Sequence, residues 1–328
     1  MSFFAILFAL LLEQVRPLAR GNPVYAALRA WSRWVRRNFD TGRAHHGGLA
    51  WVLAVLLPSA VALGVHWLLL WFAGWPFAVL WSVVVLYLTL GYRQFSHHFT
   101  DIRDALDAGD EARARELLAL WQQVDASELP KREIVRHVIE YSVLAAHRHV
   151  FGVLCWFSIL AALGLGPAGA VMYRLSEFVA RYWKYQAVTQ QQPVSPALQS
   201  AALQAWWLID WLPARITALG FAVVGSFEDA IDAWRNYVLR HPQDNDGVIL
   251  AATAGAINVR LGGEALKSSF AAPAQAGISA EALDLDSEST DGREPELAHL
   301  RSVVGLVWRT VVMWLVLLAL LTLARLLG

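Results

Sequence analysis

Two stretches of this chain hold almost no charge over lengths that a soluble fold has difficulty hiding. Residues 49–72 contain no acid, lysine or arginine, and residues 303–327 contain only Arg309 before Arg325 near the end. A helix needs about 20 consecutive apolar residues to cross a hydrocarbon layer about 30 Å thick. Both runs meet that length. In lipid a helix satisfies its own backbone hydrogen bonds, so such runs dictate helices. The chain therefore reads as an all-α, polytopic integral membrane protein. Composition agrees: 57% of the 328 residues are hydrophobic and 16% charged, against about 25% charged in ordinary soluble domains. Many of the 16 Trp stand at the ends of apolar runs, among them Trp31, Trp34, Trp51, Trp71, Trp75, Trp81 and Trp308, where the headgroup region suits an amphipathic ring.

Lys plus Arg and Asp plus Glu balance at 27 each, so no global field favours nucleic acid. The single Cys155 lies in an apolar run, which excludes an internal disulfide and CxxC chemistry.

Along the chain, residues 1–12 are apolar but short of a full span. Without a basic start or a small-x-small cleavage site they are expected to be a retained, membrane-buried helix rather than a signal peptide. Arg16, Arg20, Arg29, Arg33, Arg36, Arg37 and Arg43 follow with only Glu13 and Asp40 nearby, which marks a cytoplasmic segment. Spans are expected near 49–72 and 76–92, separated at Gly74-Trp75-Pro76. The charged 93–149 region is expected to be a cytoplasmic helical hairpin, with Asp110 as an N-cap. Residues 150–186 are apolar but broken around Gly164, Gly166, Pro167 and Gly169, the pattern of interrupted helices facing a cavity. A polar linker at 188–200 precedes a helix over 203–224. Residues 264–300 are acidic and polar and are expected to be a flexible loop. The closing transmembrane helix occupies 301–328, and residues 1–263 form the main membrane domain.

Charged residues within membrane segments are expensive and become functional candidates. Asp210, Arg215, Glu177, Arg181 and Lys184 belong to this group, although Asp210 and Arg215 could equally form a structural ion pair. The pairs His45-His46, His97-His98 and His147-x-His149 lack convergent metal-ligand spacing. They read as interfacial histidines, and no metal is expected. Neither a phosphate-cradling Gly loop nor a nucleophile elbow is present, so no cofactor is expected. Gly225, Gly255, Gly262 and Gly263 read as packing or capping glycines.

Four stretches together resemble the membrane family that includes the cobalamin-pathway synthase CobD/CbiB and the protein AmpE. They are Asp104–Arg115 (with Gly109-Asp110-Glu111), Glu140 through Trp156 to Tyr173-Arg174, Asp210-Trp211-Leu-Pro213-Ala-Arg215, and His241-Pro242 through Asn245, Gly247 and Val259–Gly263. Their order is similar to the family's across residues 1–263. The resemblance implies a membrane-embedded cavity and, for the synthase, amide formation between an aminopropanol unit and a corrin carboxylate. Several positions depart from the synthase pattern. Leu144, Ala145, Arg148 and His149 stand at its Glu-Asn-x-x-Asp-Gly motif, Glu177 and Ala180 at its Asn-x-x-Asp, Trp206 and Trp207 at a paired Asp, and Leu250 at a Glu. Arg148 and the Asp210–Arg215 stretch are more similar to AmpE.

The resemblance thus leads to a non-synthase, AmpE-like protein of the bacterial inner membrane with a regulatory, sensing or partner-binding role. It implies ligand-binding residues Asp210, Arg215, Glu177, Arg148, His241 and Asn245. The implied partners are the lipid bilayer, a corrinoid or other small ligand, and a cytoplasmic protein through 93–149. One alternative is the cobinamide-forming amide synthase itself, which would need Glu13, Asp125, Glu140, Glu177 and Asp210 to converge. Another is a transporter or lipid-handling protein.

Overall fold

The protein is seen here as a computed structural model describing residues 2–15, 22–122, 125–188, 194–263 and 288–327. Among these the regular elements are all helices. The helices are α1 Ser2–Val15, α2 Pro23–Phe39, α3 Ala44–Phe72, α4 Trp75–Thr89, α5 Tyr92–Asp107, α6 Glu111–Gln122, α7 Lys131–Ala146, α8 Gly152–Ala162, α9 Ala168–Val188, α10 Pro196–Val224, α11 Phe227–Arg240, α12 Asn245–Ile257 and α13 Leu297–Leu327. A π-helical segment, His147–Phe151, connects α7 to α8. Four described segments are long and apolar enough to cross a membrane: His45–Phe72, Lys131–Ala162, Pro196–Val224 and Leu297–Ala324. This is a polytopic, all-α membrane protein.

The chain divides into two compact units. One comprises Met1–Gly91, Arg148–Trp211 and Leu318–Gly328. Its buried centre includes Ile6, Leu86, Phe157, Tyr173 and Trp183. Helix α1 buries Ala5, Ile6, Ala9 and Glu13, while Phe4, Phe8, Leu11 and Leu12 stay exposed. That i, i+4 division is what a helix with one protein face and one lipid face produces. At about 1.5 Å per residue, its 14 residues fall well short of the hydrocarbon thickness. The turn before α4 is made by Gly74, at φ +88, followed by Pro76 in the first turn of the helix, where its missing N–H costs nothing. Trp71 and Trp75 beside that turn are 87% and 57% exposed, as interfacial rings are. Helices α8 and α9 approach so closely that a Cβ on Gly169 would overlap the Trp156 carbonyl, and one on Gly152 the Tyr173 ring. Small residues permit such backbone contact in membrane bundles.

The second unit comprises Tyr92–His147 and Leu212–Leu317. Helices α5 and α6 fold back on one another about Gly109 at φ +80, and the Asp110 carboxylate accepts from the Arg113 N–H at 2.9 Å. The 93–149 region thus holds a hairpin and a third helix, α7, which packs on both. Charges at Arg136, His137 and Glu140 obscure the apolar character of α7, yet Lys131–Ala162 reaches span length with 78% of its apolar window buried, against 28% for His45–Phe72. The first is shielded by protein; the second is largely exposed, as a lipid-facing helix is. Elsewhere a cluster of Ala218, Tyr237, Val248, Ala251 and Ala252 packs with Trp234 and Val238.

Two boundaries differ from the sequence expectation. Helix α10 begins at Pro196, not 203, because the Ser195 hydroxyl accepts from the Leu198 N–H at 3.1 Å and proline suits the first helical position. Helix α13 begins at Leu297, ahead of its apolar run. Most of the expected flexible loop (264–287), part of the polar linker (189–193) and Arg16 and Arg20 lie outside the described residues.

Candidate functional site

In the first unit, ionisable side chains are buried around α9. The Tyr173 hydroxyl donates to Asp210 Oδ1 at 2.8 Å, and Asp210 is 1% exposed. Trp206 lies over the Tyr173 ring at 5.2 Å, and the Trp156 indole donates to the Ile209 carbonyl at 2.9 Å. These contacts hold α10 on α8 and α9 where Asp210 sits. One turn along α9, buried Glu177 accepts from Arg174 and pairs with Arg181. The three sit at i−3, i and i+4, the spacing that brings helix side chains together. Lys184 is exposed.

Arg148 belongs to the π-helical segment and is buried with its neighbours His147 and His149. The pair His147 and His149 is therefore internal, contrary to the interfacial placement expected of it. An additional residue per turn redirects side chains, which no i, i+3/i+4 pattern anticipates. His147 Nδ1 lies 2.9 Å from the Thr217 hydroxyl, within the second unit. His149 packs on Gly91, within the first.

The second unit holds a more extended polar cluster. Glu140 Oε1 accepts from the Gly262 N–H at 2.7 Å and from Arg136 Nη1 at 3.2 Å. The same Arg136 nitrogen donates to the Gly262 carbonyl at 2.6 Å, and Nε donates to Glu133 at 2.8 Å. Arg136 Nη2 faces His137 Nε2 at 3.1 Å, leaving Nδ1 toward Glu140 Oε2 at 3.2 Å. An arginine only donates, so His137 Nε2 accepts and the ring proton sits on Nδ1. The result is a buried polar network, with both amide groups of Gly262 engaged. Gly262 and Gly263 adopt φ +81 and +116, a conformation for which glycine is suited. Residues 288–294 are attached to this loop: Thr290 N–H donates to the Leu261 carbonyl at 2.7 Å and Arg260 N–H to the Arg293 carbonyl at 2.7 Å.

Nearby along the chain, Arg215 donates to the Asn245 side-chain oxygen at the start of α12. Asp244 caps that helix by accepting from the Gly247 N–H at 2.9 Å, and its other oxygen accepts from the Tyr237 hydroxyl at 2.5 Å. Burial, and then this bond to Asp244, raises the Tyr237 hydroxyl well above its usual pKa, so it acts as a fixed donor. His241 Nε2 lies 2.9 Å from Glu288, which also pairs with Arg240.

Of the six residues expected to bind ligand, Asp210, Glu177 and Arg148 belong to the first unit, while Arg215, Asn245 and His241 belong to the second. Arg215 and Asn245 meet directly. Among the described residues no three His, Cys, Asp or Glu side chains come together as a metal site would require. The acids weighed for synthase chemistry divide between the units, Glu13, Glu177 and Asp210 in the first and Asp125 and Glu140 in the second: Glu140 and Glu177 are held by arginines, Asp210 by Tyr173, and exposed Asp125 accepts from Ser127. A cavity of about 150 Å³ in the first unit is lined by His66, Trp75, Ser82 and Phe157 among others. It includes none of the six and is smaller than usual small-molecule sites. Sequence reasoning missed Arg136, His137 and Tyr237, and gave Tyr173 no role beyond its place in a family-like stretch. The Arg-His-x-x-Glu spacing of 136–140 could have signalled the first two; the tyrosines left no local trace.

A family profile described as CobD/Cbib protein matches residues 3–287. Several relatives bear the name cobalamin biosynthesis protein CobD. That of Stutzerimonas stutzeri is 31% identical over 96% of this chain and 96% of its own. That of Chromobacterium violaceum is 33% identical over 56% of this chain and 55% of its own. That of Mycobacterium tuberculosis is 26% identical over 88% and 85%. No solved structure matches significantly. These likenesses overturn the expectation of a non-synthase, regulatory protein, and they lend no support to the AmpE-like placement. Carboxylates missing from a few matched positions weigh less than similarity along nearly the whole chain, because a helical bundle can present acids from other helix faces.

Proposed function

The chain belongs to the CobD/CbiB family, and on that premise we propose that it is an amide-forming enzyme of cobalamin biosynthesis, of the cobinamide-phosphate synthase type. The reaction forms a C–N bond between an aminopropanol unit and a corrin carboxyl carbon, with net loss of water. The similarity to the Stutzerimonas relative across 96% of both chains carries this reading. Half-buried Arg215, with Asn245 beside it, is the first choice for holding an anionic group of the substrates. Asp210, in the span-length helix α10, and buried Glu177 on α9 are the acids assigned to the site, since charge in such surroundings is kept for function. The protein resides in the bacterial inner membrane, with the basic segment before α3 on the cytoplasmic side.

The test is growth of a cobalamin-auxotrophic strain lacking the synthase and supplied with its corrin precursor. Expression of this chain restores growth, and Arg215→Ala removes the rescue while the protein stays in the membrane at normal level. Failure of the folded, membrane-inserted wild type to rescue would sink the proposal.

A further inference from the structure

Helix α2 is built unlike the helices around it. Its inner face buries Tyr25, Ser32, Val35 and Arg36 and packs on α3, and the Tyr25 hydroxyl donates to the Leu88 carbonyl at 3.0 Å. The outer face combines two kinds of residue that suit neither water nor hydrocarbon alone. Arg29, Arg33 and Arg37 recur at i, i+4 and i+8 and so form one row. Beside them stand Val24, Ala27, Ala30 and Trp34, with Trp34 49% exposed and stacked on Trp31 at 5.1 Å. The helix contains no acid. The nearest, Asp40, accepts from the Ser195 N–H at 2.9 Å instead.

We infer that α2 lies in the membrane interface and that its Arg29–Arg33–Arg37 row binds the phosphate headgroups of anionic phospholipids. Exposed indole and alanine beside a guanidinium row are the features of a helix resting at the headgroup level, apolar residues inward and cations against phosphate. Charge complementarity selects anionic over zwitterionic lipid: half-buried Arg29 and exposed Arg33 and Arg37 meet no carboxylate of their own helix. Crowding is already felt within the helix, since burial and then the charge of Arg37 lower the pKa of Arg36. This inference is independent of the enzymatic reading and uses a different readout.

The test uses the full chain reconstituted in phosphatidylcholine bilayers carrying spin-labelled phosphatidylglycerol or spin-labelled phosphatidylcholine. The motionally restricted fraction reports relative association. The wild type is expected to favour phosphatidylglycerol by at least about fivefold, the contribution of a single surface cation. The triple variant R29Q/R33Q/R37Q falls close to parity, whereas R29K/R33K/R37K, which keeps the charges, retains the preference. Raising salt to about 0.5 M lowers the wild-type preference by screening, a measurement that needs no variant to fold. Equal selectivity in wild type and Gln variant, or a preference indifferent to salt, overturns the inference.

Discussion

Glu140 offers the sharpest test of how the second unit is held together. It is fully buried, yet its charge is met by Arg136 and its Oε1 takes the Gly262 N–H at 2.7 Å. Two substitutions separate these roles. Glu140→Gln keeps an acceptor for the amide but removes the charge, leaving Arg136 with Glu133 alone as its acidic partner. Glu140→Ala removes both. Breaking a buried ion pair from one side costs about 3–5 kcal/mol, and an unsatisfied buried amide adds about 1–3 kcal/mol. One oxygen serves both interactions, so the two figures do not add in full. Against a typical total of about 5–15 kcal/mol, the Ala variant should be near the limit of stability. The difference between variants isolates the amide bond. Hydrogen exchange of peptides covering 258–263 and 288–294 reads it directly, because Gly262 and Thr290 share the loop. About 1–3 kcal/mol corresponds to roughly five- to 150-fold faster exchange in the Ala than in the Gln variant. If both variants exchange alike, Glu140 does not hold the loop through Gly262 and the reasoning fails.

Other outcomes follow from the same geometry. Gly169→Ala forces a methyl against the Trp156 carbonyl and should cost about 1–3 kcal/mol or more through overpacking, seen as a lowered unfolding temperature in detergent. Gly64→Ala has nothing within 4 Å and should be neutral or gain up to about 1 kcal/mol from helix propensity; reversal of that order would refute the α8–α9 contact. The hydrogen bond from His241, followed by the charges of Arg240 and His241, lowers the Glu288 pKa from its ordinary 4.5. A lowered acid pKa means that the Glu288 pairing with His241 and Arg240 contributes above pH 4.5 and is lost as pH falls through the lower folded value. Carboxyl NMR, assigned by Glu288→Gln, should place the midpoint below 4.5, and His241→Ala should return it toward that value.

Much of the architecture was readable before any coordinates. Apolar length alone identifies α3 and α13, because no water remains in a bilayer to satisfy a non-helical backbone. The Gly74–Pro76 break and the Gly109 turn follow from backbone sterics, which act locally and leave a mark in the residues themselves. Helix α7 was harder, since Arg136, His137 and Glu140 look like a solvated face until the Gly262 loop, 122 residues away from Glu140, is seen to close over them. Asp210 and Glu177 were legible as candidates because charge in an apolar segment is costly. Their partners were not: Tyr173 reaches Asp210 across 37 residues, and a lone tyrosine carries no sign of where its hydroxyl will point.

Helical periodicity and membrane length are properties of neighbours along the chain, and the sequence by itself determined them. The inward placement of His147, Arg148 and His149 through a π turn, and the closure of Glu140, Arg136 and Gly262 into one buried network, depended on which distant groups packed together. Only tertiary structure decided these, because a hydrogen bond between remote residues depends on a meeting in space that no local pattern records.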